Sequence, residues 1–505
     1  MGNQLPLEVL PEVAVCLKES HEPLARYTIV CRKWQAAFEP HIYREICVHS
    51  VSPERHKALS LSRFLSVTSG TGVRRLVMIR ELEYRVVLPY QLDDYCATIA
   101  EDKTYQKENP IKQANDEAFG EGITRLFTIL ACWPVTRRLS LVLSTLGRQK
   151  GLEPGTKKCY SDIREFRWLQ DGNKSVRPYR AQLPDDDASE LPSVSCIDKL
   201  CFPNAGSDPW HMIWAGTALQ IAQCCPTLTW LHLGLDEFVR PDHLDYMRDR
   251  RQAVAEELCN LPGSLRVFHY FNQLEKPWQN TLPAPNVLSD KIDKFALDVR
   301  SLSLHLRELK ISHVAVTSDF FWPLDSQGKA AGCETSLHWP YLETIEFDEV
   351  PDYLSSGEWL FHPTPEIYDE TEVPNIESPE LWDIRLIEES PYDRTVMNFE
   401  HFHRLFIAMG YAAQRMPRLK TIRLLVVADD QSTFEFSTDH LTGRRTVTWA
   451  SGTGYRPDER VAQAWGFVLE NVDFINYWEG KAVETNVIFQ SWPPEDLREK
   501  ILRLS

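Results

Sequence analysis

Residues 306–311 read LRELKI: an apolar residue, a second three positions later, and a third two positions after that. Alternate side chains of a β-strand share a face, so Leu309 and Ile311 are predicted to point into one core. Leu306 precedes them and can turn inward from the preceding bend, while the charged residues between them point outward. The stretch therefore predicts a short strand with one buried face and one polar face.

The same pattern recurs along most of the chain, with a weaker copy where the first residue is polar. Its copies begin at Val73, Thr136 (the weaker one), Ile197, Leu228, Leu265, Leu306, Leu342 and Leu419. Prolines stand two residues before four of the copies, at Pro134, Pro226, Pro340 and Pro417. Three of these prolines follow helix-like runs, and a proline just past a helix ends it and sends the chain on extended. Each unit is thus predicted to be a helix, a proline break and a strand.

This arrangement resembles a leucine-rich repeat, in which L-x-x-L-x-L marks the strand of each unit. The spacing between successive copies exceeds the ~20–29 residues of ordinary leucine-rich repeats. This holds for the copies that begin at 197, 228, 265, 306 and 342. We therefore predict an irregular α/β array of helices and strands over residues 60–430, followed by a C-terminal α+β capping region at 431–505. The alternative is a set of unrelated strands that share an alternating pattern.

Two insertions interrupt the predicted array, at about 146–195 and 343–393. The second is strongly acidic, and Arg385 is its only Lys or Arg. Prolines in it break regular structure, so one interpretation is a solvated loop. The other is an acidic surface that steers a basic partner.

The region around residues 447–468 predicts a strand, a glycine loop and a helix that begins near Pro457. The apolar residues that follow recur at helical spacing and are predicted to share one helix face. They are Val461, Ala464, Trp465 and Val468.

Composition disfavours several classes of protein. With 43% hydrophobic and 25% charged residues, the 505-residue chain has an ordinary globular balance. A net charge of -17 disfavours a nucleic-acid binder, which needs clustered Lys and Arg. No apolar run approaches the ~20 residues of a membrane span, and the N-terminus lacks a signal-peptide pattern. The 12 Cys, without a C-x-x-C, predict reduced, mostly buried thiols in a cytoplasmic or nuclear protein.

Catalytic motifs are poorly represented. The glycine-rich SGTG at 451–454 lacks the Lys-Ser/Thr of a phosphate-binding loop, and there is neither a G-x-S-x-G nor an H-E-x-x-H motif. His401 and His403 stand two apart on a predicted helix and so face different directions, which disfavours a shared metal. We predict no catalytic residue, no cofactor and no metal.

The N-terminus carries the most specific constellation. Leu5, Pro6, Glu8, Val9, Val13 and Leu17 form L-P-x-E-V-x-x-x-V-x-x-x-L, and VCRKW follows at residues 30–34. Cys31, Trp34 and Phe38 then continue at helical spacing. A segment of ~45 residues buries little apolar surface, so it gains stability by docking onto a partner.

These two motifs, in this order and ahead of repeat-like units, resemble an F-box over about the first 48 residues. The resemblance implies a three-helix module that binds a Skp-type adaptor and, through it, a cullin. The chain would then be a non-catalytic substrate receptor of an SCF-type cullin-RING ubiquitin ligase, holding an unidentified protein substrate on its repeat region. No nucleic-acid or membrane partner is implied.

Individual positions carry over from the F-box resemblance. It implies adaptor contacts for Leu5, Pro6, Val9 and Leu24, and a module core formed by Val13, Leu17, Val30 and Trp34. Pro11 departs from the pattern because it removes a backbone donor inside the first helix. Either the helix begins near Pro11 or the adaptor contact is reshaped.

Two alternatives to the ligase receptor stay open. One is a repeat-type scaffold or interaction protein without a ligase role, whose N-terminal helices merely cap the array. The other is an enzyme with its site in the 343–393 region, where carboxylates and the aromatic residues Trp359, Tyr368 and Trp382 would line a pocket.

Overall fold

A computed structural model describes most of the chain. The described residues are 9–20, 22–51, 59–89, 110–147, 180–184, 191–203, 212–235, 244–272, 284–330, 337–363, 394–428, 432–439, 441–452, 454–476, 483–489 and 492. They form a mixed α/β protein with a large mixed sheet. They divide into two compact units, with the boundary after His232.

The first unit combines helices with short strands. Its helices are α1 (Val9–Glu19), α2 (Arg32–Tyr43), α3 (Leu61–Thr68), α4 (Val73–Leu76), α5 (Pro110–Ala131) and α6 (Ala215–Gln223), with 3₁₀ helices at Leu24–Ile29 and Gly70–Gly72. Its strands are β1 (Glu45–His49), β2 (Leu59–Ser60), β3 (Glu81–Leu88), β4 (Leu139–Gly147), β5 (Arg180–Ala181), β6 (Ile197–Phe202) and β7 (Met212–Ile213). The unit boundary falls inside β8 (Trp230–Leu235). Strands β2, β1, β3, β4 and β6 pair in that order, all parallel.

The second unit contains the other ten strands that the structure describes. Its helices are α7 (Leu244–Leu258), α8 (Lys294–Ser303), α9 (Phe399–Ala413) and α10 (Glu459–Trp465), with 3₁₀ helices at Ser318–Phe320 and Leu469–Asn471. Its strands are β9 (Val267–Asn272), β10 (Glu308–Ser312), β11 (Thr344–Pro351), β12 (Phe361–Pro363), β13 (Arg394–Met397), β14 (Thr421–Val427), β15 (Ser432–Thr438), β16 (Arg445–Ser451), β17 (Val472–Asn476) and β18 (Val483–Phe489). Strands β9, β10, β11 and β14 are parallel neighbours, and β15, β16, β18 and β17 follow in antiparallel order.

The repeat pattern places its apolar residues in register across the parallel strands of the second unit. The second positions of four copies are paired neighbours, as are the third positions. They are Phe268, Leu309, Ile345 and Ile422, and Tyr270, Ile311, Phe347 and Leu424. All eight are buried, and so is the first position of each copy. The strands predicted for the copies that begin at Leu265, Leu306, Leu342 and Leu419 are therefore confirmed.

The copies in the first unit follow the prediction less closely. The copies at Ile197 and Leu228 form β6 and β8, with all their apolar positions buried. The copy at Thr136 is shifted: Leu141 and Leu143 pair with Leu82 and Tyr84, so they occupy the second and third positions.

The copy at Val73 was assigned to the wrong frame. Val73–Leu76 is the helix α4, and Val73 is exposed. The strand is β3, in which Ile79, Leu82 and Tyr84 fit the same pattern six residues later and are all buried. The later frame is the one whose three apolar side chains can enter the core together.

The acidic insertion begins as regular structure rather than as a solvated loop. Residues Thr344–Pro351 form β11 between β10 and β14, and Asp352 is buried. Residues 364–393, with Arg385, Tyr368 and Trp382, lie outside the described residues, as does most of the 146–195 insertion. The predicted boundary near residue 430 falls between β14 and β15, which pair with each other.

The C-terminal prediction is confirmed except at its last residue. Strand β16 covers Val447, and α10 begins after Asp458, whose side chain accepts a hydrogen bond from the Val461 N–H at 2.9 Å. The helix ends at Trp465 because Gly466 takes a left-handed φ of 75° and its N–H returns to the Ala462 carbonyl. Val468 therefore lies beyond the helix and is exposed, not on the buried face.

The cysteines that the structure describes are free thiols, without a disulfide among them. Burial raises the pKa of Cys196 to about 11. Cys225 is also buried, but Cys16, Cys31, Cys132 and Cys259 are exposed, so the prediction of mostly buried thiols was wrong for these four. None of the described helices has the length and apolar character needed to cross a membrane.

Candidate functional site

The N-terminal helices close around a small core of their own. Leu10 and Ala14 of α1, Leu24 of the 3₁₀ helix and Phe38 of α2 are buried together. Partly buried side chains surround them: Val13, Leu17, Tyr27, Trp34, Ala37 and Ile42. The 3.6-residue period of α1 and α2 places their members of this set on inward faces, while Leu24 and Tyr27 come from the 3₁₀ helix. We call residues 9–43 the N-terminal module.

Aromatic packing adds to this core. The ring of Trp34 stacks on Phe38 with centroids 5.2 Å apart, and Tyr27 lies 6.0 Å from Trp34 and 5.6 Å from Phe38. Offset aromatic contacts of this kind stabilise a fold beyond their buried area. The motif VCRKW therefore contributes its tryptophan to the interior of the module.

The structure corrects one predicted core position of this module, Val30, and adds Leu24 to the core. Val13, Leu17 and Trp34 pack against the core, but Val30 is 60% exposed because it follows the 3₁₀ helix on its outer side. Leu24 is buried in the core, and its adaptor contact stays a prediction.

The remaining adaptor-contact positions stand at or before the start of α1. Val9 is half-buried as the first residue of α1, and Leu5 and Pro6 lie outside the described residues. Pro11 fits its position, because it stands in the first turn of α1, where backbone N–H groups lack helical partners.

Several apolar side chains of the module face solvent. Ile29 is 86% exposed, Val30 60% and Val15 41%. Ile29 and Val30 are adjacent in the chain, immediately before Cys31, which is also exposed. The module thus presents apolar surface that its own core does not bury.

A buried carboxylate fixes the module to α4 of the first unit. Glu39 on α2 is almost fully buried and pairs with Arg75 at 3.0 Å. Burial alone would raise its pKa, but hydrogen bonds from Gln35 and Arg75 and the charges of Arg75 and Arg74 hold the pKa of Glu39 below its usual value. In addition, α2 leads within two residues into β1.

The second unit presents a row of charged side chains on the polar face of its parallel strands. Each member stands between the two buried apolar residues of its strand, and strand pairing aligns them. The row is His269, Lys310, Glu346 and Arg423, continued by Glu435 on β15. We call it the polar row.

Ion pairs cross the polar row from strand to strand. Lys310 lies 3.3 Å from Glu346 and 3.3 Å from Glu308, and Arg423 lies 3.2 Å from Glu346. His269 Nε2 lies 2.9 Å from the Glu308 carboxylate. The charges nearly compensate, so the row suits recognition of a partner by matched polar contacts rather than long-range attraction.

His269 and Arg423 were not recognised from the sequence as members of one surface. The signal was present, because both occupy the same position of the repeat as Lys310 and Glu346, between the second and third apolar residues. Only the strand register shows that these positions form one row.

A buried histidine joins α9 to the segment before α10. His403 Nδ1 lies 2.7 Å from the Tyr455 hydroxyl, and its Nε2 lies 3.9 Å from the Asp458 carboxylate. Arg460 pairs with both Asp458 and Glu400 around it. Burial lowers the pKa of His403 despite the nearby carboxylates. Among the described residues, no group of three or more His, Cys, Asp or Glu side chains could hold a metal ion.

Acidification is expected to weaken this junction. The folded protein holds His403 neutral, so between its lowered pKa and the ordinary value of 6.5 the unfolded chain binds more protons. The contribution of neutral His403 to the free energy of unfolding should be fully present above about pH 6.5 and should fall as the pH drops below that value. In His403→Gln, unfolding followed from pH 5 to 8 should show a smaller pH slope than the unaltered protein. An equal slope in both would contradict this role.

One comparison with known proteins concerns this C-terminal region. The family described as "Family of unknown function (DUF6546)" matches residues 388–490. No match to an F-box family was found, and no curated protein matches the chain. The matched segment contains α9, α10 and the antiparallel strands from β15 to β18, together with the His403 junction. It covers a minor part of the chain and does not include the N-terminal module.

Proposed function

We propose that the chain is the substrate-recognition subunit of an SCF-type cullin-RING ubiquitin ligase. In this proposal the N-terminal module binds a Skp-type adaptor, and the repeat region, an irregular leucine-rich-repeat-like array, holds a protein substrate. The chain supplies no catalytic group. It raises the reaction rate by holding the substrate near a charged conjugating enzyme brought by the other subunits.

The N-terminal module is the observation that carries the proposal. Its core is closed by its own helices, yet Ile29 and Val30 remain exposed at the start of the F-box-like VCRKW motif. Exposed apolar side chains within a small module are a feature of docking surfaces when they adjoin one another. Leu5 and Pro6, just before α1, belong to the same F-box-like motif.

The polar row supports the second half of the proposal. A receptor needs a surface that recognises a partner without aggregating, and a row of half-exposed, paired charges provides directional contacts. The row lies on strands whose opposite faces form the buried core, so its side chains are held at fixed spacing.

An adaptor-binding measurement tests the proposal directly. The double variant Ile29→Lys and Val30→Lys should bind an immobilised Skp-type adaptor more than ~10-fold more weakly, a loss of at least ~1.4 kcal/mol. Two charges would have to be desolvated in the contact. The control is Leu441→Lys, which charges an exposed leucine (96% exposed) in the second unit. Equal binding by the double variant and the control would contradict the proposed surface.

A second candidate function is a scaffold whose N-terminal helices cap the array. The Glu39–Arg75 pair, which joins α2 to α4, and the direct connection from α2 to β1 favour it, because they attach the module to the rest of the first unit as a cap would be attached. This candidate predicts a folded protein that binds no Skp-type adaptor, which separates it from the receptor in the same assay.

A further inference from the structure

A small cavity lies against the core of the antiparallel strands in the second unit. It has a volume of about 10 Å³ and is bounded by α9, β14, β15 and β16 and by the segment that contains Tyr455. Its walls are chiefly apolar and aromatic: Phe402, Phe406, Phe434 and Trp449, among others. All the lining residues fall within the matched segment 388–490.

Two buried polar side chains line this cavity without a hydrogen-bond partner among the described residues. They are Ser432, through its hydroxyl, and Trp449, through its indole N–H. Ser432 is 6% exposed and Trp449 2% exposed, so bulk solvent does not satisfy them. Buried polar groups in proteins are almost always paired, and an orphaned one calls for an explanation.

Strand register places the two side chains on the same face of neighbouring strands. Phe434 pairs with Trp449 across β15 and β16, and Thr433 pairs with Ala450. Ser432 shares the buried face of its strand with Phe434, two residues away, as alternate strand residues do. The hydroxyl and the indole N–H therefore belong to one face, which is the face that the cavity adjoins.

We infer that this cavity is a binding site for a single water molecule that bridges Ser432 and Trp449. The volume matches the ~10–15 Å³ needed to hold one water. An indole N–H only donates, and a serine hydroxyl both donates and accepts. A water accepts from Trp449 and pairs with Ser432, so both orphaned groups are satisfied. Relatives in the matched family that carry Ser and Trp at these positions should hold the same water.

Water contacts of the indole protons in the full-length protein test this inference. With ¹⁵N-labelled tryptophan, the Trp449 indole proton should show a cross-peak to a long-lived water, and Trp449→Phe assigns that resonance. The internal control is Trp465, which is also fully buried but whose indole N–H donates to the Phe406 carbonyl at 2.8 Å. Its proton should show no such cross-peak.

The variant Ser432→Ala separates a bridging water from solvent that merely diffuses nearby. It removes one hydrogen-bond partner with little change in volume, so the Trp449 cross-peak should fall severalfold while the Trp465 resonance stays in place. The inference is overturned if the folded protein shows no water contact at Trp449, if Trp465 shows an equal one, or if Ser432→Ala leaves the cross-peak unchanged.

Discussion

Replacing Asp293 with alanine is expected to lower the free energy of unfolding by about 3–5 kcal/mol. Asp293 is 2% exposed and stands before α8, where its side chain accepts a hydrogen bond from the Ala296 N–H. Its two carboxylate oxygens also accept from Arg251 at 3.1 and 2.6 Å and from the Ser355 hydroxyl at 2.7 Å. One carboxylate thus joins α7, the start of α8 and the loop after β11.

The loss is large because the partners stay buried. Without Asp293, the largely buried guanidinium of Arg251 loses its counter-charge, and an uncompensated buried charge is the costly outcome of breaking an ion pair. Burial would raise the pKa of Asp293, but Arg251 and the hydrogen bonds from Ser355 and Ala296 hold the pKa below its usual value. The carboxylate is therefore charged in the folded protein at neutral pH.

Asp290→Ala is the matched control for this prediction. Asp290 lies three residues earlier and is exposed, so its removal should change stability by no more than about 0.5 kcal/mol. Denaturant-induced unfolding measures the free energy of unfolding of both variants. Hydrogen exchange of the α8 amides then measures how firmly α8 is held in each. Equal free energies of unfolding for Asp293→Ala and Asp290→Ala would show that the Asp293 carboxylate does not hold α7, α8 and the loop after β11 together.

Replacing Trp465 with alanine is expected to lower the free energy of unfolding by about 3–5 kcal/mol as well. Trp465 is fully buried, and its ring lies 5.4 Å from Phe434 and 5.8 Å from Phe436. Its indole N–H donates to the Phe406 carbonyl of α9. The alanine variant loses this bond and leaves a cavity between α9, α10 and β15.

The fit around Trp465 is close, so the cavity should not collapse easily. A Cβ atom at Gly410 would lie 2.8 Å from Trp465 Cδ1 and 2.8 Å from the Ala464 carbonyl oxygen, which shows how closely α9 packs against α10.

Val468→Ala is the control, because the helical pattern grouped Val468 with Trp465 although Val468 is exposed. The control should change stability little. An equal loss in both variants would mean that Trp465 is not the packing centre.

The repeat pattern predicted the strands well because each copy combines local and global signals. Leu309 and Ile311 alternate with charged residues, and the same alternation in neighbouring strands lets all of them bury one face in register. At Val73 the local pattern was equally good, but a second frame at Ile79 overlapped it. Only packing against the neighbouring strands decides between such frames.

The candidate site was less predictable for related reasons. Helical spacing placed Trp34 in the core of the N-terminal module, but it did not show that Leu24 turns inward and Val30 outward, because the 3₁₀ helix Leu24–Ile29 has a different period. The polar row depends on residues far apart in the chain, such as His269 and Arg423. Their common position within the repeat predicts outward side chains, but their alignment comes from strand pairing.

Assembly with the adaptor tests the central claim most directly. The full-length chain would be mixed with a purified Skp-type adaptor and the adaptor-binding part of a cullin, then analysed by size-exclusion chromatography with light scattering. The receptor proposal predicts one stable complex that contains one copy of each protein. A chain that is folded by circular dichroism yet elutes alone, with the adaptor and cullin in a separate peak, would contradict it.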